Sequence, residues 1–405
     1  MSRMKAVILA AGKGTRMMPL TATMSKGMIP VANRPLLEWT VRFLDFCEEI
    51  ILVVNESQQD IVSHFSGDKK IKLVFQKEAL GTGHALLCAE KFVSGKFLMV
   101  YGDDVYSEED IKAAAGMGAT VMTSFHSDNP KAYGVLEIDD DHVVKLEEKP
   151  EMPKSNLVNC GLYIFDESVF SALKKLQPSA RGEYELTDAI KILIEKGRVE
   201  NYTLKTWIPL TYPWNILDAN RHMLDKYGSS IDKSVELRPG AVIEEPVAIG
   251  AGSIVGPNCY IRKYSSIGKN CKVGQAVEIK NSIIMDNSFV SHLSYAGETI
   301  IGRNCNVGGG TIFANLRLDD KNVKMEVNGV RVDSGHRKLG AIIGDNVKFG
   351  TRVTVMPGKR IWPNIMVPAC MTVDEDLKTG MPLSKFTKEA PEEVKSPCQK
   401  SGKDE

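Results

Sequence analysis

The apolar positions divide the chain into two rhythms. From residue 4 to about residue 225, short apolar runs alternate with helical stretches, and Met4 to Leu9, Glu49 to Val54, Lys72 to Phe75, Phe97 to Tyr101 and Thr120 to Phe125 read as strands. Such alternation predicts an α/β, Rossmann-like domain on a largely parallel sheet. From Ile231 onward the period becomes six. Ile231, Leu237, Ile243, Ile249, Val255, Ile261, Ile267, Val273 and Ile279 are all apolar, with Gly following at 250, 256, 268 and 274. The rhythm returns at Ile301, Val307 and Phe313, then at Ile343, Phe349, Val355, Ile361, Val367 and Val373. A hexapeptide repeat predicts a parallel β-helix. The two gaps, Ile283 to Gly297 and Leu316 to Leu339, read as loops, which on repeat scaffolds commonly carry function.

The repeat resembles the left-handed β-helix, in which three hexapeptides make one triangular coil. The pattern thus gives a first domain at 1–228, a β-helix at 229–375 and a charged tail at 376–405, rich in Lys, Glu, Ser and Pro, for which disorder is expected. Lysine plus arginine equal aspartate plus glutamate at 51 each, so no long-range field draws in nucleic acid or an anionic membrane. Partners should be small molecules. Eight cysteines form no C-x-x-C pair and no zinc pattern, and read as reduced structural thiols. With neither a signal peptide nor an apolar run of membrane-spanning length, a cytoplasmic location is expected.

Candidate chemistry begins after the first strand. Ala10-Ala11-Gly12-Lys13-Gly14-Thr15-Arg16 combines small residues, which let backbone N–H groups approach an anion, with two cations. It is neither a P-loop nor a dinucleotide fingerprint, since Met17 stands where the third Gly belongs. An ordinary Gly-rich strand-to-helix turn would also account for it. In α/β sheets ligands lie beyond the carboxyl ends of the strands. There stand Gln76 with Leu80-Gly81-Thr82-Gly83-His84, read either as a base-recognising edge or as a helix capped at Thr82. Tyr101-Gly102-Asp103-Asp104 places a hard oxygen ligand suited to Mg²⁺ after a strand whose Gly102 opens space. Tyr133-Gly134, Glu147-Glu148-Lys149-Pro150, Asn159-Cys160-Gly161 and Trp214-Asn215 follow.

Taken in order with Pro19-Leu20-Thr21 and Ser25-Lys26, these motifs resemble the sugar-1-phosphate nucleotidylyltransferases. The resemblance implies that Leu9, Ala11, Gly12, Lys13, Gly14, Thr15 and Arg16 bind the nucleoside triphosphate, UTP or dTTP, and that Gln76, Gly81 and Thr82 read the pyrimidine. Lys26 and Arg16 would act on the reacting phosphates. Gly134, Glu148 and Asn159 would hold the sugar, and Asp103 and Asn215 would ligate Mg²⁺. Two departures stand out: Ser25-Lys26-Gly27 replaces Pro-Lys-Pro, which predicts a more mobile Lys26 loop, and Asn215 replaces the commoner Asp. The implied reaction is an in-line attack of the sugar phosphate oxygen on the α-phosphate, carried by positioning and charge neutralisation.

In the β-helix, Arg262 and Lys280 lie one coil apart and should stack on one face. Stacked like charges call for an anion between them, a phosphate for example, unless the side chains splay into solvent. His292 with Tyr295, Asn306, Gly308-Gly309-Gly310, Asn315 and Lys321 resembles the acetyltransferase half of bifunctional uridylyltransferase and glucosamine-1-phosphate acetyltransferases, and the insertion Asn322 to Leu339 resembles their archaeal type. By resemblance His292 is the general base, oriented by Asn315. Arg262, Lys280, Tyr295, Asn306 and Lys321 hold the amino-sugar phosphate, and Gly309, Thr351 and Ala369 bind acetyl-CoA between subunits of a homotrimer. An imidazole titrates near 6.5, suited to such a base, and amides of Gly308 to Gly310 would face the oxyanion. The expectation is therefore a bifunctional enzyme that N-acetylates glucosamine 1-phosphate, or galactosamine 1-phosphate, and uridylylates the product. The competing readings are a monofunctional glucose-1-phosphate thymidylyl- or uridylyltransferase with a scaffold β-helix, and a non-enzymatic nucleotide-sugar sensor.

Overall fold

The computed structural model describes residues 4–381 apart from 119, 180, 181 and 198, so most of the charged tail lies outside the described residues. The first half is built on nine strands: β1 (Lys5–Leu9), β2 (Ile50–Val54), β3 (Ile71–Phe75), β4 (Phe97–Tyr101), β5 (Val121–His126), β6 (Gly134–Asp139), β7 (His142–Glu148), β8 (Leu157–Phe165) and β9 (Glu200–Thr203). They run in the order β3-β2-β1-β4-β8-β5-β9-β7-β6. Strands β3, β2, β1 and β4 are parallel, whereas β8 is antiparallel to both β4 and β5. The largely parallel sheet expected is thus found in one half, and the other is mixed, with β9 parallel to β5 but antiparallel to β7. The β6–β7 hairpin reverses the chain and feeds β8 in from the opposite direction.

Successive side chains of a strand face opposite sides. Along β1, Ala6 and Ile8 enter one core while Val7 and Leu9 enter the other, so both faces of the sheet are covered. A strand buried on both faces reads as an unbroken apolar run, as this one does. The carboxyl ends of β1, β3 and β4 open together at one edge.

The second half is a left-handed β-helix whose walls are three parallel seven-stranded sheets. Ile231, Ile249, Ile267, Ile284, Ile301, Ile343 and Ile361 stack along the first wall. The inward residues of all three walls fill one apolar prism. Corners carry a left-handed residue, and Asn, which tolerates that conformation, occupies them at 258, 270, 281, 287, 304, 346 and 364.

The stretch 283–297 is not a loop. It contains the strands Ile283–Ile284, Phe289–His292 and Tyr295–Gly297, which continue the three walls. Its coil is one residue shorter than those before it, which shifts the phase of the repeat and hides it from a strict six-residue template. The second gap is a true insertion, with a hairpin of Lys324–Val327 and Val330–Asp333.

The first wall and this insertion pack on the first half. Ile283, Ile300, Ile342, Val323, Met325 and Leu339 share a core with Ile216 and Met223 of the helix Asn215–Tyr227. Asn220 of that helix is fully buried: it accepts from Ala32 N–H at 2.8 Å and from the Ser266 hydroxyl at 2.7 Å, and donates to Tyr264 C=O at 2.8 Å. The tail read from 376 begins with ordered residues, since Asp376 pairs with Arg360 at 2.6 Å and Leu377 closes the last coil; 382–405 lie outside the described residues. Among the described residues no helix is long and apolar enough to cross a membrane. The described cysteines are free, and burial pushes the thiols of Cys271 up to about 11 and of Cys47 and Cys305 up to about 12.

Candidate active sites

At the open edge of the first sheet lies a cavity of about 740 Å³. The loop after β1 forms its floor, where Leu9, Ala11, Gly12, Lys13, Gly14, Thr15 and Arg16 all line it. Gly14 has φ +63°, and a Cβ there would lie 3.1 Å from Thr21 Cγ2 and 3.2 Å from Lys26 Cβ, so only glycine fits without strain. Lys13 and Arg16 are exposed toward the space. Lys26, only 13% exposed at its side chain, reaches in from the other side and pairs with Asp103 Oδ2 at 2.6 Å. The loop carrying Lys26 is pinned rather than loose. Ser25 donates from its N–H and hydroxyl to Asp60 at 2.7 and 2.5 Å, and Gly27 packs on Leu37.

Beyond β3, the buried Gln76 donates from Nε2 to Gly81 C=O at 3.0 Å, and Gln76, Gly81 and Thr82 share the wall of the same cavity. Thr82 is not a helix cap. Gly81 precedes the helix Thr82–Cys88, and the Thr82 hydroxyl accepts from Leu186 N–H at 3.1 Å. Gly102 does not open space for a ligand; a Cβ there would meet Leu37 and Ile8, so its lack of side chain serves packing. Asp104 accepts from Trp207 Nε1 at 3.0 Å, and burial together with the Asp103 charge raises its carboxyl to about 7.

Gly134, Glu148 and Asn159 are brought together: Glu148 pairs with Gly134 across the hairpin, and a Cβ on Gly134 would lie 3.1 Å from Glu148 Oε2 and 3.6 Å from Asn159 Cβ. Of the three, Glu148 lines the cavity. Asn159 Oδ1 accepts from the Tyr163 hydroxyl at 2.8 Å. Asn215 stands outside the lining; its Oδ1 accepts from Tyr212 N–H at 2.9 Å and its Nδ2 faces Asp218 at 3.5 Å. Among the described residues no group of three or more His, Cys, Asp and Glu is gathered for a metal. Sequence reasoning missed Tyr101, Lys149 and Glu183, which also line the cavity. Tyr101 and Lys149 stand in motifs already noted, while Glu183 reaches the site only through the tertiary fold.

The β-helix gathers a second polar cluster at the end of its third wall. Arg262 and Lys280 do stack on adjacent coils, but the protein supplies the anions: Arg262 faces Glu278 at 3.2 Å and Glu244 at 3.6 Å, and Lys280 faces Glu298 at 3.3 Å. A bound phosphate is therefore not required to offset them. Asn315 Nδ2 donates to the Tyr295 hydroxyl at 3.1 Å and to Glu298 Oε2. Burial, then the Glu298 and Glu278 charges, raise the Tyr295 phenol above its ordinary value. Glu244, Glu278 and Glu298 are the members of this cluster that the sequence pattern does not single out.

His292 lies on the second wall, exposed, with Gly309 below it; a Cβ on Gly309 would stand 3.3 Å from His292 Cβ. Among the described residues no hydrogen bond joins His292 to Asn315. Gly308 and Gly310 spend their N–H groups on Phe349 and His292 carbonyls, which leaves Gly309 as the amide of that trio without a described partner. Asn306 is exposed on the outer side of the second wall beside Phe289 and Lys348. Lys321 is exposed at the start of the insertion. Thr351 and Ala369 lie exposed at stacked corners, joined by a Cys370 N–H to Thr351 C=O bond of 2.8 Å.

Comparison with known proteins gives concordant findings. Residues 5–225 match the nucleotidyl transferase family model, and residues 243–375 match that of the GMPPB C-terminal domain. The chain is 43% identical over 394 residues to the bifunctional protein GlmU of Methanococcus aeolicus, covering 93% of this chain and 96% of that one. It is 43% identical over 396 residues to the protein of the same name from Methanocaldococcus jannaschii, with the same coverage. With the bifunctional sugar-1-phosphate nucleotidylyltransferase/acetyltransferase of Sulfurisphaera tokodaii it shares 38% identity over 400 residues, covering 93% and 99% of the two chains.

Proposed function

The chain belongs to the family of bifunctional sugar-1-phosphate nucleotidylyltransferases/acetyltransferases, and we propose that it makes UDP-N-acetylglucosamine from glucosamine 1-phosphate, acetyl-CoA and UTP. The observation that carries this reading is the presence of two separate polar sites on one chain: the glycine-lined cavity of the first half, with Lys13, Arg16 and Lys26 in its lining, and the Arg262, Lys280, Tyr295 and Asn315 cluster of the β-helix. Residues 1–228 would transfer the uridylyl group and residues 229–375 the acetyl group.

In the first site, Lys13 and Arg16 neutralise the triphosphate, with the small residues of the loop letting it approach backbone N–H groups. Gln76, Gly81 and Thr82 face the base, and Glu148, backed by Gly134 and Asn159, faces the sugar. Asp103 is 42% exposed at its side chain and lines the phosphate end, which fits Mg²⁺, an ion commonly bound through one or two carboxylates and substrate phosphates. Asn215 would add an amide oxygen only by turning its Oδ1 from Tyr212 N–H toward the cavity that it does not line here. When bound, the ion supplies charge neutralisation on the phosphates. Lys26, freed from Asp103, turns its ammonium to the α-phosphate as the sugar phosphate oxygen attacks and pyrophosphate leaves.

In the second site, His292 accepts the proton of the amine as nitrogen bonds to the acetyl carbon and the C–S bond of the thioester breaks. Gly309 N–H would meet the oxyanion, and CoA leaves as its thiol. Asn306 and Lys321 would close on the sugar phosphate, and Thr351 and Ala369 would flank acetyl-CoA. Exposed Phe289, Met366, Val242 and Ile312 on the second and third walls contrast with the buried outer residues of the first, which supports a homotrimer formed through those two walls. Such assembly would supply a partner for the His292 imidazole, which has no hydrogen-bond partner among the described residues. The buried free thiols accord with a cytoplasmic location.

The test is reconstitution. Purified protein with glucosamine 1-phosphate, acetyl-CoA, UTP and Mg²⁺ should release CoA thiol and pyrophosphate and form UDP-N-acetylglucosamine. Pyrophosphate release from glucose 1-phosphate with no thiol release from either amino sugar phosphate would instead establish the single-activity reading, with the β-helix as scaffold.

A further inference from the structure

Glu298 is the buried centre of the third-wall cluster. Only 8% exposed, it accepts from Asn315 Nδ2 and faces Lys280 Nζ at 3.3 Å. Asn315 Nδ2 also donates to the Tyr295 hydroxyl at 3.1 Å, so both amide protons are committed. Among the described residues no hydrogen bond reaches Asn315 Oδ1. The amide is thereby locked with its nitrogen inward and its oxygen free to accept.

The backbone supplies a second, independent observation. Glu298 has φ +43°, the left-handed corner position after the third wall, which Asn281 and Tyr264 fill in the two preceding coils. Nothing in the corner calls for a long acidic side chain there, and Asn or Gly would adopt the conformation more readily. The adjoining Gly297 fits the same purpose, since a Cβ on it would overlap the Tyr295 hydroxyl and Asn315 Nδ2. Enclosing a carboxylate costs free energy unless charged or polar partners surround it, as they do here.

We propose that Glu298 is the positioning residue of acetyl transfer, holding Asn315 so that its amide oxygen accepts from the amino group of the sugar phosphate and holding Lys280 beside it. This inference rests on the acetyl-transfer reading given above. A neutral amine that attacks a thioester keeps an N–H to donate, and a fixed acceptor aligns its lone pair on the acetyl carbon.

The experiment compares wild type, Glu298→Asn and Glu298→Asp for CoA thiol release with glucosamine 1-phosphate, and for pyrophosphate release in the same preparations. The Asn variant suits the corner, so its Tm and pyrophosphate release should equal wild type. Its kcat for acetyl transfer should fall on the order of 10- to 100-fold, the scale on which outer carboxylates act on the groups they orient. KM for acetyl-CoA should change little, and Asp should recover part of the loss. Glu298→Gly, equally suited to the corner, replaces Asn should the latter not fold. An Asn or Gly variant with wild-type kcat, an Asp variant no better than Asn, or a parallel loss of Tm and pyrophosphate release would overturn the proposal. Absence of thiol release from wild type itself would instead mark failure of the acetyl-transfer reading.

Discussion

Single residues divide into those whose chemistry is local and those whose chemistry depends on distant partners. The glycine-rich loop was legible because Gly12, Lys13, Gly14 and Arg16 act through their own backbone and side chains, and the structure lines one cavity with all of them. Lys13 is exposed toward that cavity, so Lys13→Ala should leave folding intact and lower nucleotidyl transfer by about 10²-fold or more, the loss typical of a missing charge-stabilising group. Pyrophosphate release at the wild-type rate would remove Lys13 from the site. Glu298 was not legible, because its partners Lys280 and Asn315 are set one coil away on either side by the repeat. Asn215 illustrates a different limit: its motif stands out in sequence, yet its amide oxygen is turned to Tyr212 N–H.

At the scale of elements, period six identifies the β-helix, and a one-residue shortening at 279–284 disguises a regular coil as a gap in the repeat. Template matching with two one-residue slips, at 279–284 and at 296–301, recovers it, because Ile284, Val290 and Ala296 pair in register with Ile301, Val307 and Phe313. The insertion could be seen as an interruption, but not as a clamp, since its docking depends on tertiary contact. His336 near its end faces Asp218 of the helix Asn215–Tyr227 at 3.3 Å, and that carboxylate raises the imidazole above its ordinary value. With the folded value raised, the contribution is full below about 6.5 and is lost as pH rises through the folded value. Limited proteolysis within 316–339, normalised to an unstructured peptide, should therefore be faster at pH 8.5 than at pH 6. His336→Gln should abolish the difference; a persisting pH effect would place its origin elsewhere.

At the scale of the molecule, the two halves share a core rather than hang on a linker. The sequence shows two rhythms, and nothing in either reveals that the first wall of the β-helix is buried against the helix Asn215–Tyr227. Asn220 joins three segments there, so Asn220→Ala leaves Ala32, Ser266 and Tyr264 without that partner, at a cost of about 1–3 kcal/mol for each group left unsatisfied. Calorimetry should show one melting transition in wild type and two in the variant. A single unshifted transition in the variant would mean that apolar packing alone couples the halves.

If one chain holds two chemically independent sites, His292→Ala should remove one activity and spare the other. Thiol release from acetyl-CoA with glucosamine 1-phosphate, and pyrophosphate release from UTP with N-acetylglucosamine 1-phosphate, are measured on the same purified variant. The first should be abolished and the second should stay at the wild-type rate. Persistent thiol release, or loss of both activities in a variant that still melts as wild type does, would contradict the two-site reading.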